Sequence, residues 1–424
     1  MAMAIVDTIM VGRLGAEAIG AVSIGSVLFF SVAISGMGML LGMDPMVAQA
    51  YGAGRFADCH RTLIQSIYLS LVLAPAFMAL LYRGTPWLDQ VGIQPAVVRL
   101  AVPYLKALSW CMVPLFLYGT LRRYLQAIGL VKPVMLALLS ANVVNLAGNW
   151  ALIYGHLGMP ALGVVGSGWA TTIARVWLFL VLLIVLIGHA YIYQTGLFRV
   201  PLGIDLGRLR KVLALGMPAS AHLTLETAVF AVVTALAGRF SPEALAAHQI
   251  VLCTASLTYM VPLGVSAAGA VRVGHAIGRR DPQAASRAGW TALALGAGFM
   301  AAAALVLLLI PRTIMGVFTQ ESAVISAGLS LLYAAAVFQL FDGLQVVASG
   351  ILRGTGETRI PMFCNLVAYW GLGLPVAYML GVWWGLGVLG LWIGLVIALI
   401  VAGLFLLYVW AKKARGLVAV APAG

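Results

Sequence analysis

Apolar residues in this chain do not alternate with polar ones. They come in runs of about 20, enough for a helix to cross the hydrocarbon core of a bilayer. The runs predict spans near residues 18–43, 62–82, 100–120, 134–154, 163–188, 212–237, 244–268, 288–310, 325–350, 361–381 and 386–411, with a partial span at 1–12. Turn clusters separate them, among them Gly52-Ala53-Gly54, Arg83-Gly84-Thr85-Pro86, Gly158-Met159-Pro160 and Gly354-Thr355-Gly356. Stretches such as Leu305–Ile310 and Leu391–Trp410 lack the period-two pattern of a membrane β-barrel. Backbone groups in lipid must bond within their own segment, so the chain is predicted to be an all-α, polytopic membrane protein.

Composition supports this. The chain is 63% hydrophobic and 9% charged, with a mean hydropathy of +1.05, which excludes a soluble globular protein. The longest polar-leaning connection, about Gly188 to Leu213, is too short for a soluble nucleotide-binding domain, and no GxxxxGK[ST] phosphate loop occurs. The net charge of +13 is not a nucleic-acid patch. Every Lys and Arg falls in alternate loops or the C-terminal tail, except Arg13, Arg83, Arg99, Lys106, Arg239, Arg312 and the intrahelical Arg175. That bias places both termini in the cytoplasm. Cys59, Cys111, Cys253 and Cys364 have neither metal-ligand spacing nor a disulfide framework, and read as small packed residues. Met1–Gly12 is apolar but carries Asp7, so it reads as part of a first helix and not as a cleavable leader.

The two halves repeat. Val47-Ala48-Gln49-Ala50-Tyr51-Gly52-Ala53-Gly54-Arg55 aligns with Val271-Arg272-Val273-Gly274-His275-Ala276-Ile277-Gly278-Arg279. At nearly the same offset, Gly12-Arg13 and Glu17-Ala18 match Gly238-Arg239 and Glu243-Ala244, and Leu125 to Gly129 matches Leu352 to Gly356. Each unit holds six helices, so the expectation is two six-helix lobes related by a pseudo-two-fold axis along the membrane normal. The predicted lobes are residues 1–195 (helix 1 partial) and 212–424, joined by a cytoplasmic linker at 196–211. The alignment also leaves the first half short of its counterpart by roughly 20 residues.

Three carboxylates, Asp7, Glu226 and Asp342, lie inside these runs, in a chain with only 12 acidic residues. An ionised Asp at the centre of a span costs about 2.5–3.5 kcal/mol on insertion scales. Such residues face a bundle interior or an aqueous cavity and bind protons or cations there. Asn145 and Asn149 are four apart, on one helical face, and can either coordinate a cation beside a carboxylate or simply glue helices together. His222 precedes Glu226 by one turn. His222 and His248 can relay protons or serve as packed hydrogen-bonders. If Glu226 and Asp342 converge, two carboxylates in low dielectric cannot both ionise cheaply and would share a proton or a monovalent cation. Asp44 reads as interfacial. Met37, Met39, Met43, Phe341, Tyr369 and Trp370 can line an apolar substrate cavity, although ordinary packing accounts for any one of them.

In order and spacing these residues resemble the multidrug and toxic compound extrusion (MATE) family, of its bacterial NorM type. The similarity covers the whole chain. It rests on Val6-Asp7-Thr8-Ile9-Met10, Ala48-Gln49 with Gly52-Ala53-Gly54, Asn145 with Asn149-Trp150, Glu226 with Phe230-Ala231-Val232-Val233, Ala246-Ala247-His248-Gln249, Arg272-Val273-Gly274-His275, and Asp342 with Gln345-Val346-Val347-Ala348 and Leu352-Arg353-Gly354. The resemblance implies twelve helices in two lobes and export of organic cations in exchange for H⁺ or Na⁺. It implies an N-lobe site at Asp7, Asn145 and Asn149, and a C-lobe cation site, with possible Na⁺, at Glu226 and Asp342. His222, His248, Gln249 and Gln345 are its accessory candidates. No cofactor, no catalytic residue and no nucleic-acid partner are implied. The expected setting is the bacterial inner membrane, with the protein functional as a monomer. One departure stands out: the family's Tyr one turn before the second acid is Phe338 here, which removes a hydroxyl from the cation site.

Two other functions remain open on sequence. A flippase for lipid-linked oligosaccharides would share the two-lobe plan but needs basic residues for a pyrophosphate, and the mid-membrane charges here are mainly acidic. A membrane-embedded acyl- or glycosyltransferase needs an interfacial His/Asp or metal cluster, which the sequence lacks.

Overall fold

A computed structural model describes residues 2–90 and 94–419 of the chain. Those residues form helices and turns, with no strand among them. The chain divides by its internal contacts into two units, one of residues 1–47 and 55–220, the other of 48–54 and 221–424. Among the described residues, ten helices are long and apolar enough to cross a membrane, or eleven if one bent pair counts as a single span.

The first unit begins with α1 (Ala2–Gly12), which matches the short expected span at 1–12. It continues with α2 (Ala16–Met39), which passes through a tight turn at Leu40–Gly42 into α3 (Met43–Gly52). Then come α4 (Phe56–Gly84), α5 (Pro95–Ser109), α6 (Met112–Ala127), α7 (Val131–Tyr154), α8 (Val164–Ile192) and α9 (Leu206–Ala237). The single span expected at 100–120 is instead α5 and α6, bent by 45° at Trp110–Cys111. Proline explains the break: Pro114 has no N–H to return to the carbonyl of Trp110, so the helical ladder lapses there. Packing in this unit depends on small residues meeting large ones. The rings of Tyr104 and Phe116 occupy the space where Gly25 and Gly36 would carry a Cβ.

Segment 195–208 is docked on α4. His60 Nε2–H donates to the carbonyl of Thr195 (2.9 Å), while His60 Nδ1 accepts from the Tyr124 hydroxyl (2.7 Å). Tyr68 donates to the Leu202 carbonyl (2.6 Å), and Gln65 binds both the Gly203 carbonyl (2.8 Å) and the Asp205 N–H (3.0 Å). Arg208 pairs with Asp58 at 2.9 Å. Asp205 caps α9 by accepting the Arg208 N–H (2.9 Å), which holds its carboxyl below the ordinary carboxylate range. The start of α9 then packs so tightly on the end of α2 that Gly42 and Gly216 have no room for a Cβ. Asp44, expected at the interface, pairs with Arg123 at 2.9 Å.

The second unit contains the rest of α9, α10 (Pro242–Gly278), α11 (Pro282–Leu309), the short α12 (Pro311–Phe318) and α13 (Ser322–Gly354). Next come α14 (Arg359–Asn365), a π-helical stretch at Leu366–Gly373, α15 (Leu374–Tyr378), a second π-helical stretch at Met379–Trp383, and α16 (Gly387–Ala419). Its core stacks α13 between α10, α11 and α16, around fully buried Trp392 and Trp410. Residues 48–54 belong here because Gln49 donates to the Gly354 carbonyl (3.0 Å) and Gly52 lies against the His275 backbone. Cys59, Cys111 and Cys364 are buried free thiols, whereas Cys253 is exposed.

Candidate functional site

Two buried polar clusters stand out, one in each unit. In the first, α1 carries Asp7, α7 carries Asn145 and Asn149, and α8 carries Thr171, all of them buried. Helical spacing puts the two asparagines on one face of α7, turned toward α1. Asn149 donates to Asp7 Oδ1 at 2.6 Å and Asn145 to the same oxygen at 3.1 Å. Thr171 donates to Asp7 Oδ2 at 2.7 Å and accepts from Asn145 at 3.2 Å. Tyr154, at the end of α7, pins α1 by donating to the Met10 carbonyl at 2.5 Å.

Each amide therefore spends its N–H on the carboxylate, and the Oδ1 atoms of Asn145 and Asn149 are left buried with no hydrogen-bond partner. The shell suits an ionised Asp7 as drawn. It also suits a protonated one, because a rotated amide presents its oxygen to the new O–H. Arg175, one turn beyond Thr171, lies within electrostatic reach of Asp7 and of the Cys111 thiol. Sequence reasoning missed Thr171 and left Arg175 without a role. The available signal was a Thr and an Arg one turn apart in a span.

In the second unit, Asp342 on α13 is buried and Glu226 on α9 is nearly so, and the two are close enough for their charges to interact. His222 Nε2 lies 3.4 Å from Glu226 Oε2, and the Gln345 amide nitrogen approaches the same ring nitrogen at 3.5 Å. One nitrogen cannot serve both neighbours in the same way. Protonated, Nε2 donates to Glu226; unprotonated, it accepts from Gln345. Gln345 also donates to Asn365 Oδ1 (3.1 Å). Around them are buried polar atoms with no partner: both amide atoms of Gln339, Gln345 Oε1, Asn365 Nδ2 and the Tyr369 hydroxyl. Carboxylate, amide and phenol oxygens are the donor set that a hard monovalent cation takes. Gln339, Asn365 and Tyr369 were not among the sequence-predicted site residues, although Tyr369 was noted as a cavity-lining candidate. Among the described residues no three His, Cys, Asp or Glu side chains gather into a metal cluster.

The other accessory candidates lie elsewhere. His248 accepts the Trp392 indole N–H at Nδ1 (3.1 Å) and therefore donates from Nε2 to Thr234 (2.9 Å). Both ring nitrogens are occupied by neutral partners, which makes His248 a structural tie between α9, α10 and α16. The side chain of Gln249 is exposed.

This geometry sits in a chain whose relatives are clear. The MatE family model matches residues 1–151 and 218–379. A protein of Mesorhizobium japonicum named "Probable multidrug resistance protein NorM" is 35% identical over 421 residues, covering 98% of this chain and 90% of that protein. "Multidrug resistance protein PmpM" of Pseudomonas aeruginosa is 34% identical, covering 98% and 88%. The crystal structure of the eukaryotic MATE transporter AtDTX14 superposes with a TM-score of 0.86 at 22% identity, covering 98% of this chain and 93% of that one. The chain belongs to the MATE family of membrane transporters.

Proposed function

We propose that this protein is a secondary multidrug antiporter that exports organic cations in exchange for H⁺ or Na⁺. One observation carries the reading: each unit buries carboxylates in a polar shell that can satisfy both a charged and a neutral or cation-bound state. Asp7 suits a proton, because its three donors stabilise the anion and its amides can turn to accept the acid O–H. Glu226 and Asp342 suit a shared monovalent cation or proton, with His222 exchanging partners as the charge changes. Holding an ion at one time and an organic cation at another, over the same buried negative charge, is what exchange requires. The relatives' names, which speak of multidrug resistance, favour drugs over a single metabolite as cargo. The setting we propose is the bacterial inner membrane, with both termini cytoplasmic and a single chain as the working unit.

The test is export of a cationic dye from vesicles in which Na⁺ and pH gradients are imposed separately. Export should follow the pH gradient without Na⁺, with any Na⁺-driven component lost on Glu226→Gln. Export indifferent to both gradients, or headgroup flipping without dye export, would refute antiport and favour a flippase.

A further inference from the structure

The segment after α14 is not an ordinary α-helix. Over Leu366–Gly373 its backbone bonds reach back five residues, as in the Leu374 N–H to the Tyr369 carbonyl. A π-helical turn of this kind inserts a residue into a helix and re-aims the side chains it carries. Tyr369 lies within it, is only 1% exposed, and its hydroxyl has no hydrogen-bond partner.

The turn is fixed beside the Glu226 and Asp342 site. The Trp370 indole N–H donates to the carbonyl of Leu225, the residue before Glu226, at 3.2 Å. The Tyr369 ring centroid lies 6.5 Å from that of Phe230, one turn after Glu226. Phe230 in turn lies 6.1 Å from Phe338, one turn before Asp342. Tyr369 is within electrostatic reach of both carboxylates. A phenylalanine would pack in this place without burying an unpaired hydroxyl, as Phe338 does nearby. The hydroxyl needs a partner that comes and goes.

We propose that the Tyr369 hydroxyl is an oxygen ligand for a monovalent cation held by Glu226 and Asp342, replacing the hydroxyl that Phe338 lacks. This rests on the reading of Glu226 and Asp342 as the coupling site.

The experiment is equilibrium binding of ²²Na⁺ to the purified full chain, with Na⁺-dependent shifts in melting temperature as a second readout. Tyr369→Phe should weaken Na⁺ affinity by about tenfold while leaving the Na⁺-free melting temperature unchanged or raised. Phe338→Tyr in that background should restore affinity to within about threefold of the parent. Unchanged Na⁺ binding in Tyr369→Phe, or no rescue by Phe338→Tyr, would overturn the proposal. Glu226→Gln separates the two levels: if it abolishes binding while Tyr369→Phe does not, only the ligand assignment fails. If Glu226→Gln also binds normally, the coupling-site reading fails with it.

Discussion

The two acid clusters differ in how completely they are satisfied. Both Asp7 oxygens are bonded, and among the described residues that bond it the atoms left without partners are the amide oxygens of Asn145 and Asn149, with Arg175 Nε unpartnered one turn beyond Thr171. Around Glu226 and Asp342 the orphans include a whole glutamine amide, two further amide atoms and a phenol hydroxyl. A buried polar group without a partner costs about 1–3 kcal/mol, so the second shell is the more costly of the two. The first site is complete around a bare carboxylate and needs only a proton to change state. The second leaves more of its polar atoms without partners. The two sites therefore differ in how much hydrogen-bonding capacity the shell around their three carboxylates leaves free.

The largest expected effect comes from neutralising the complete site. Asp7→Asn should abolish proton-driven dye export while the protein inserts normally and melts no lower, since a buried charge and its desolvation cost are both removed. Full export by this variant would remove Asp7 from the mechanism. Next is Asp342→Asn, which should cut Na⁺ affinity by at least about tenfold, with proton-driven export by Asp7 partly retained; equal loss of both activities would erase the distinction between the sites.

Thr171→Val sharpens the comparison from the first side. It keeps shape but deletes one of three donors to Asp7, and export should fall about tenfold, the effect of losing a hydrogen bond to a charged group. Thr171→Ser should stay within about twofold by the same reasoning. Gln339→Leu does so from the second side. If its amide belongs to the ion shell, Na⁺-dependent stabilisation should shrink; an unchanged Na⁺ response with a higher melting temperature would make it an idle buried polar group.

The smallest effect concerns Asp205. Its carboxyl is held low by the Arg208 N–H at the α9 cap, so its contribution is present above the unfolded carboxylate pKa and fades as pH falls through the lower folded value. Asp205→Ala should therefore melt slightly below the parent at pH 7. The two should converge in acid well below about pH 4.

Much of this was legible in the residues themselves. Asn145 and Asn149 face Asp7 because helical spacing puts them on one side of α7, and a carboxylate in a span demands donors. His222 reaches Glu226 for the same reason. Thr171 was hidden because a Thr in an apolar helix ordinarily bonds its own backbone one turn back. Thr172 next door does so, donating to the Gly168 carbonyl at 2.9 Å, and nothing in the sequence distinguishes the pair. The π-helical turn was equally hidden. Leu366 to Gly373 reads as plain span, and the extra residue per turn is a tertiary choice with no local code. The break between α5 and α6 was foreshadowed by Pro103 and Pro114, but hydropathy runs smoothly across it.

The docked segment on α4 also determines where this chain can be taken apart. A polar stretch between two hydrophobic halves invites a cut for separate expression or for insertion of a reporter. Here residues 195–208 are held along α4, and the first turns of α9 are wedged against α2, with Ser220 donating to the Ser35 carbonyl at 2.6 Å. The division between units falls inside α9, after Ser220 and two residues beyond Pro218, where the helix already lacks an N–H. A fragment ending at residue 195 would be missing part of its own floor. One ending shortly after Ser220 would carry that floor intact.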